Sequence, residues 1–286
     1  MASLLHWTGE PPSLRRPVLL VALEGFVDAG GVGSTAAMFL SHRWQADVVA
    51  RFDRDAFIDY RARRPTAVVD AGELRRLDWP DIELAVARPD GPRDAVFLLG
   101  AEPDMRWEAF CAEVAAACRT LGIEVVITLG AYPAAVPHTR PVRIMRANNA
   151  LAGDLVPEAG PIPGYNGPVG IGSALQTTLA EQGIPAVGLW AEVPHYIAGA
   201  PNPQSALTMV RLLAATLHTE VDTTELEAAA RAHREQVDAA VAEHDEAEQM
   251  VQALELFLDE DARSQPLPTG DDLAAEIERF LRSQSD

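Results

Sequence analysis

The chain has 286 residues, 48% of them hydrophobic and 23% charged, which suits one globular domain with an extension, or two small domains. Its net charge of −19 disfavours binding to nucleic acid or to an anionic membrane, and no apolar run reaches the roughly 18 residues needed to cross a bilayer. All 23 basic residues are arginine, so no side chain can form a Schiff base and no phosphate-loop lysine exists.

The segment before Val18 lacks the apolar core of a signal peptide, so the expected location is cytoplasmic. Val18–Leu23 is an apolar run expected as a strand. It ends in Glu24-Gly25-Phe26-Val27-Asp28-Ala29-Gly30-Gly31, and helical spacing follows over Val32–Trp44. A strand, a turn rich in glycine and acid, then a helix is where open α/β sheets place ligand sites. Gly31-Val32-Gly33-Ser34-Thr35-Ala36 matches G-x-G-x-x-A, with Asp53 about 20 residues on. In a dinucleotide fingerprint, however, the first glycine follows the strand at once, and here Glu24 to Gly30 intervene. Two other readings remain open. Gly25, Gly30 and Gly31 permit tight turns, or the amides of Gly30–Gly33 hold an anion at a helix start. Glu24 and Asp28 oppose a bare anion there.

Further strands are expected at Asp47–Phe52, Ala67–Asp70, Ile82–Ala87, Ala95–Leu99, Glu124–Leu129, Val142–Arg146, Val169–Ile171 and Ala186–Glu192. Helical spacing recurs at Trp107–Leu121, Ser173–Glu181, Pro203–Leu217 and Thr223–Leu258. Near-continuous apolar strands alternating with helices indicate an α/β sheet covered on both faces. Arg51–Arg93 breaks that rhythm and reads as an inserted β-meander or hairpin. Cys111 and Cys118 share one expected helix, their Cα atoms about 10 Å apart, beyond disulfide reach. They read as core thiols of a reducing compartment.

Three later segments carry polar groups at expected strand ends or in loops. Asn148-Asn149 closes one strand and precedes a loop holding Tyr165 and Asn166. Glu192-Val193-Pro194-His195-Tyr196 closes another, and Pro201-Asn202-Pro203 opens the next helix. An acid, a histidine and a tyrosine at a strand's carboxyl end suit acid–base chemistry, though a lone His-Tyr pair is more often a hydrogen-bonded packing feature. His138, in a proline-rich loop, is placed to approach the same crevice. His233 and His244 are expected to pack or face solvent. No G-x-S-x-G elbow and no zinc-type histidine spacing accompany them. No catalytic residue, metal or cofactor is assigned.

The acidity is concentrated at one end. Residues 220–286 carry a net −14, against −5 for the first 219. An α/β core domain over 1–219 is therefore expected, with an acidic helical extension over 220–286. A proline-broken linker, Ser264–Gly270, leads to a short amphipathic helix at Asp271–Leu281. Such an arm on an α/β core is expected to mediate subunit contacts.

The pieces EGFVDAGGVGSTAAMFL, ITLGAYPAAVPHTRP, GYNGPVGIGSAL and GIPAVGLWAEVPHYIAGAPNPQSAL occur in this order over roughly residues 17 to 219. In that order the chain resembles the proteasome assembly chaperone family, in its bacterial and archaeal branch and near the second assembly chaperone. The resemblance implies a three-layer α/β sandwich akin to the purine nucleoside phosphorylase-like fold, and a homo-oligomer, with a trimer the expected form. It also implies proteasome subunits as partners. Archaeal relatives that dock through a C-terminal tail use a hydrophobic residue, tyrosine, then any residue. This chain ends Arg282-Ser283-Gln284-Ser285-Asp286, which departs from that pattern. Family members labelled as ATP-grasp enzymes would need a lysine that this chain lacks.

Two hypotheses follow. The first is a non-enzymatic oligomeric protein-binding scaffold or assembly chaperone. The alternative is a small-molecule binder or phosphorylase-like enzyme acting on a nucleoside or nucleotide at the strand carboxyl ends. The crevice candidates for either are Glu24, Gly25, Phe26, Asp28, Gly30, Gly31, Asn148, Asn149, Tyr165, Asn166, His195 and Tyr196. In the enzyme reading His195 is acid or base, Asn149 orients the ligand, and Arg140, Arg143 or Arg146 hold phosphate.

Overall fold

The computed structural model describes residues 3–162 and 164–264. The strands are β1 (Leu5–Trp7), β2 (Val18–Glu24), β3 (Asp47–Phe52), β4 (Thr66–Asp70), β5 (Glu73–Asp78), β6 (Ile82–Ala87), β7 (Ala95–Ala101), β8 (Val125–Ala134), β9 (Ile144–Asn148), β10 (Gly160–Pro161) and β11 (Ala186–Pro194). The helices are α1 (Val32–Arg43), α2 (Arg54–Phe57), α3 (Trp107–Leu121), α4 (Ile171–Glu181), α5 (Pro203–Leu217), α6 (Thr224–Ala242) and α7 (Asp245–Ser264). The amphipathic helix expected at Asp271–Leu281 and the linker beyond Ser264 lie outside the described residues.

Nine strands form one sheet in the order β1-β3-β6-β7-β2-β8-β11-β9-β10. Its centre, β7-β2-β8-β11, is parallel. Antiparallel pairs flank it on both sides, β6 against β7 and β9 against β11. The sheet is therefore mixed, and helices cover both faces. In β2 alternate residues serve different cores. Val18, Leu20 and Ala22 pack with Val32 and Leu40 of α1 and with Leu213 of α5. Leu19 and Val21 pack with Phe110 of α3 and Leu175 of α4. A strand buried on both sides has no polar face, which explains its unbroken apolar run.

Three expectations need correcting or refining. Val169–Ile171 is not a strand; Ile171 is the first residue of α4, with Gly170 as its extended N-cap. The segment is too short to tell a buried strand from a helix start by composition alone. The long helix expected at Thr223–Leu258 is two helices, with a break at Glu243-His244. Asp245, Glu246 and Glu248 fill the first turn of α7. Acids are favourable there and gain nothing in mid-helix, so the acid run marks a new N-terminus. The Arg51–Arg93 insertion contains a separate hairpin, β4-β5, together with α2 and β6. No described helix is long and apolar enough to cross a membrane.

Both cysteines lie on α3, buried and unbridged. Burial pushes the Cys111 thiol up to about 11 and the Cys118 thiol up to about 12. The thiolate is the reactive form, and both groups are fully protonated well above neutrality. A thiol-reactive chromogenic disulfide at pH 8 should leave both groups unmodified in the folded protein. Stoichiometric reaction should appear only with the unfolding transition in denaturant.

Candidate functional site

The turn after β2 is built by two carboxylates that sequence reading treats very differently. Asp28 was expected to line a crevice. Instead its side chain caps α1. Oδ1 accepts the Gly33 N–H at 2.7 Å, and Oδ2 accepts the Ser34 hydroxyl at 2.6 Å and its N–H at 3.3 Å. The helix start that was a candidate anion site is thus filled by the chain's own carboxylate. Burial pushes the Asp28 carboxyl up, against the opposing pull of Ser34 and Gly33.

The second carboxylate is Glu102, just beyond β7, which sequence reading passes over. It is only 9% exposed. Its Oε2 accepts the Phe26 N–H at 3.0 Å and its Oε1 accepts the Ile171 N–H at 2.8 Å. Its own N–H donates to the Glu24 carbonyl at 3.1 Å. A Cβ on Gly25 would overlap the Glu102 side chain, so this glycine is required for close approach. The signal that could have found Glu102 is an acid at the carboxyl end of an apolar strand, the same pattern that drew attention to Glu24. Glu24 itself is exposed.

Gly30 joins the turn to α5. Its N–H donates to the Ala198 carbonyl at 2.9 Å, and its carbonyl accepts the Asn202 N–H at 3.0 Å. Gly30 has φ +62, and a Cβ there would meet Asn202 at 3.0 Å. Asn202 in turn caps α5 by accepting the Ser205 N–H. The early G-F-V-D-A-G-G and the late P-N-P segments are therefore two halves of one hydrogen-bonded joint. Gly31 also has positive φ and is the N-cap of α1.

Asn148 and Asn149 do not join this site. They close β9, but β9 runs antiparallel to β11, with Asn148 opposite Val187 at the start of that strand. The carboxyl end of β9 therefore lies at the end of the sheet where the parallel strands begin, away from the turn after β2. Asn149 accepts N–H groups from Ala186 and Leu151 and donates to the Ile184 carbonyl, which pins the entry to β11. Asn148 donates to the Gly153 carbonyl. Tyr165 and Asn166 are exposed in the loop before α4, and the Tyr165 hydroxyl donates to the Pro168 carbonyl.

His195 and Tyr196 follow β11 in a single 3₁₀ turn. His195 is exposed and its ring contacts the Ala134 carbonyl at 3.3 Å. Tyr196 is joined instead to His138, whose backbone N–H donates to its hydroxyl at 2.8 Å and whose Nδ1 lies 2.6 Å from it. Nε2 of His138 lies 2.9 Å from Asp238 on α6. Arg234 of α6 donates to the His138 carbonyl, Glu255 of α7 takes the Thr139 hydroxyl, and Arg140 pairs with Asp259 at 3.1 Å. The β8–β9 loop is thus a clamp for the two helices. Arg143 pairs with buried Glu192, which also accepts the Tyr132 hydroxyl, and Arg146 pairs with Asp154.

Two cavities adjoin these groups. One, of 40 Å³, lies beside Glu102, Thr128 and Trp190 and has room for about one water molecule. The other, of 330 Å³, opens between the β8–β9 loop, the start of α5 and the two C-terminal helices. No cluster of three or more metal-ligating side chains occurs among the described residues.

The PAC2 family profile matches residues 22–241, most of the chain. The chain belongs to the PAC2 family. It is 36% identical to a Mycobacterium tuberculosis proteasome-assembly chaperone homologue, covering 82% of this chain and 99% of that one with a TM-score of 0.75. A Corynebacterium glutamicum protein of unknown function is 28% identical with a TM-score of 0.87, over 92% of this chain and 99% of its own. The Pyrococcus furiosus archaeal proteasome activator PbaB shares the fold at 18% identity and a TM-score of 0.63, over 82% and 97% of the two chains. No functionally curated protein matches the chain.

Replacing Glu102 with alanine should lower stability by about 2–3 kcal/mol in urea unfolding, since the buried Ile171 N–H and the part-buried Phe26 N–H both lose their acceptor. Gly25→Ala should destabilise comparably, because the added methyl displaces the same carboxylate. In a Glu102→Gly background, which removes the Cβ at 2.6 Å as well as the carboxylate, Gly25→Ala should cost much less, and a double-mutant cycle measures that coupling.

Proposed function

We propose that this PAC2 protein is a non-enzymatic protein-binding scaffold of assembly-chaperone type, with a proteasome subunit as its partner. The observation that carries the reading is the use made of the turn after β2. Asp28 and Glu102 are spent on bracing backbone, while Phe26 at the tip is 70% exposed. Met105 and Val169, close in sequence to Glu102 and Ile171, are also exposed. An apolar side chain held out on a rigid support is what a protein interface uses as an anchor. The 36% identical Mycobacterium tuberculosis relative described as a proteasome-assembly chaperone homologue supports the choice of partner.

The enzyme reading finds less support. Asn149 lies beside the start of β11 and His195 follows its end, so the two are at opposite ends of the strands. Of the arginines offered as a phosphate cradle, each is already paired with a carboxylate.

We also infer self-association, with a trimer as the expected form. Leu256 and Phe257 are both exposed on α7. They give the acidic arm an apolar surface suited to subunit contacts.

Phe26→Asp should reduce capture of proteasome α-subunits by at least about tenfold while leaving the melting temperature within about 2 °C, since the side chain is solvent-exposed. Capture that survives this change assigns partner binding elsewhere. Independently, Leu256→Asp/Phe257→Asp should shift the mass measured by light scattering towards the monomer, with Phe26→Asp leaving it unchanged.

A further inference from the structure

The β4-β5 hairpin presents an apolar face that no described residue covers. Across its strands Ala67 pairs with Leu77 and Val69 with Leu74. The two pairs lie two residues apart on β4, so all four side chains share one face. A bulge makes this possible. The register shifts between Val68 and Val69, which leaves Arg75 unmatched on β5. In a regular strand Leu74 and Leu77, three residues apart, would point to opposite faces. All four side chains are exposed, Val69 by 60% and Leu74 by 62%. The hairpin is a sheet of its own, and none of its residues joins either core. Only its base is braced. Trp79 packs edge-on against Tyr60 with ring centroids 4.8 Å apart, and Arg54 lies over the Trp79 ring. A two-stranded sheet is marginal in water unless its apolar face packs on something.

Helix α7 presents a second such face. Asp245, Gln249, Ala253 and Phe257 follow one another at four-residue spacing with Leu256 beside them, and all are exposed. The two faces carry opposite charge. Residues 61–79 hold five arginines and three acids, in a chain whose net charge is −19. Arg63, Arg75 and Arg76 are paired within the chain. Arg61 and Arg64 are exposed and pair with no described acid. Residues 245–264 of α7 hold seven acids and one arginine. Packing one hairpin on another would bring spare arginines together, and packing α7 on α7 would bring acids together. Hairpin against α7 is the pairing in which both apolar faces are covered and the charges attract.

We propose that the β4-β5 face is a docking surface for α7 of a second copy of this chain. Leu74, Leu77 and Val69 meet Leu256 and Phe257, while Arg61 and Arg64 face the acids of that helix. Both faces stand open within one chain, so the contact is made between copies. It joins two different surfaces and is therefore heterologous. Such a contact leaves one free surface of each kind on a dimer and is completed only by closing a ring. A trimer is the smallest ring that does so without the two-fold symmetry of a reciprocal dimer. The proposal rests on the self-association reading above and names the surface that receives the arm.

The test combines light scattering with cross-linking of the full chain. Leu74→Asp/Leu77→Asp should convert the wild-type oligomer to monomer, with the melting temperature of the monomeric core little changed because both side chains are exposed. Cross-linking decides the pairing even if that variant loses its hairpin. Both native cysteines are buried, so a bis-maleimide reports only on introduced thiols. A mixture of Leu74→Cys and Phe257→Cys chains should give a covalent dimer. Either variant alone should give none, because a heterologous contact does not bring like positions together. Cross-linking of either variant alone, or none in the mixture, overturns the proposal. A wild-type chain that is monomeric overturns it together with the self-association reading. An oligomer dissolved by Leu256→Asp/Phe257→Asp but not by Leu74→Asp/Leu77→Asp overturns the hairpin contact alone. So does a hairpin variant that stays oligomeric but no longer captures proteasome α-subunits, which assigns the face to that partner instead.

Discussion

The carboxylate of Glu102 holds together three segments that are remote in sequence: the end of β7, the turn after β2 and the start of α4. A buried charge is costly unless hydrogen-bonded, and here two backbone N–H groups meet that need. The same bonds satisfy amides that the turn and the helix N-terminus would otherwise leave unpaired. Gly25 is fixed by this arrangement, since any side chain would occupy the space of the carboxylate. Phe26 is held at this turn by its amide on Glu102, and its ring stands 70% exposed.

Asp28 performs the matching task on the other face of the sheet. It caps α1, while Gly30 exchanges hydrogen bonds with the segment that starts α5. The two helices of that face are therefore registered against each other by backbone bonds as well as by side-chain packing. Val32, Leu40 and Leu213 then close the core between them and β2. Chemistry-bearing residue types at a strand end have been used here as joinery.

The C-terminal helices extend this logic. Their acids meet the arginine, threonine and histidine of the β8–β9 loop, and these partly exposed contacts are individually weak. Docking rests as well on burial of Leu226 and Ala230 within the core beside α5. The acidity of the last quarter of the chain is thus partly an attachment device, and it leaves a cavity where the helices span the loop.

Much of the fold was legible from residues alone. Apolar runs marked the buried strands because each is covered on both faces, and three–four spacing marked α1, α3 and α5 because each buries one stripe. Strand direction was not legible. Nothing local in Ile144–Asn148 says that it runs against β11, and that reversal carried Asn148 and Asn149 away from the site. Glu102 was missed because a carboxylate's role depends on which amides arrive beside it from elsewhere in the chain. By itself, the sequence determined the class of fold, the membership implied by its ordered motifs and the place of the turn after β2, since these rest on local periodicity and backbone conformation. Only the tertiary structure decided that the turn's acids brace backbone while Phe26 is held outward, and that Asn149 braces the start of β11, because burial and partnership are properties of segments brought together.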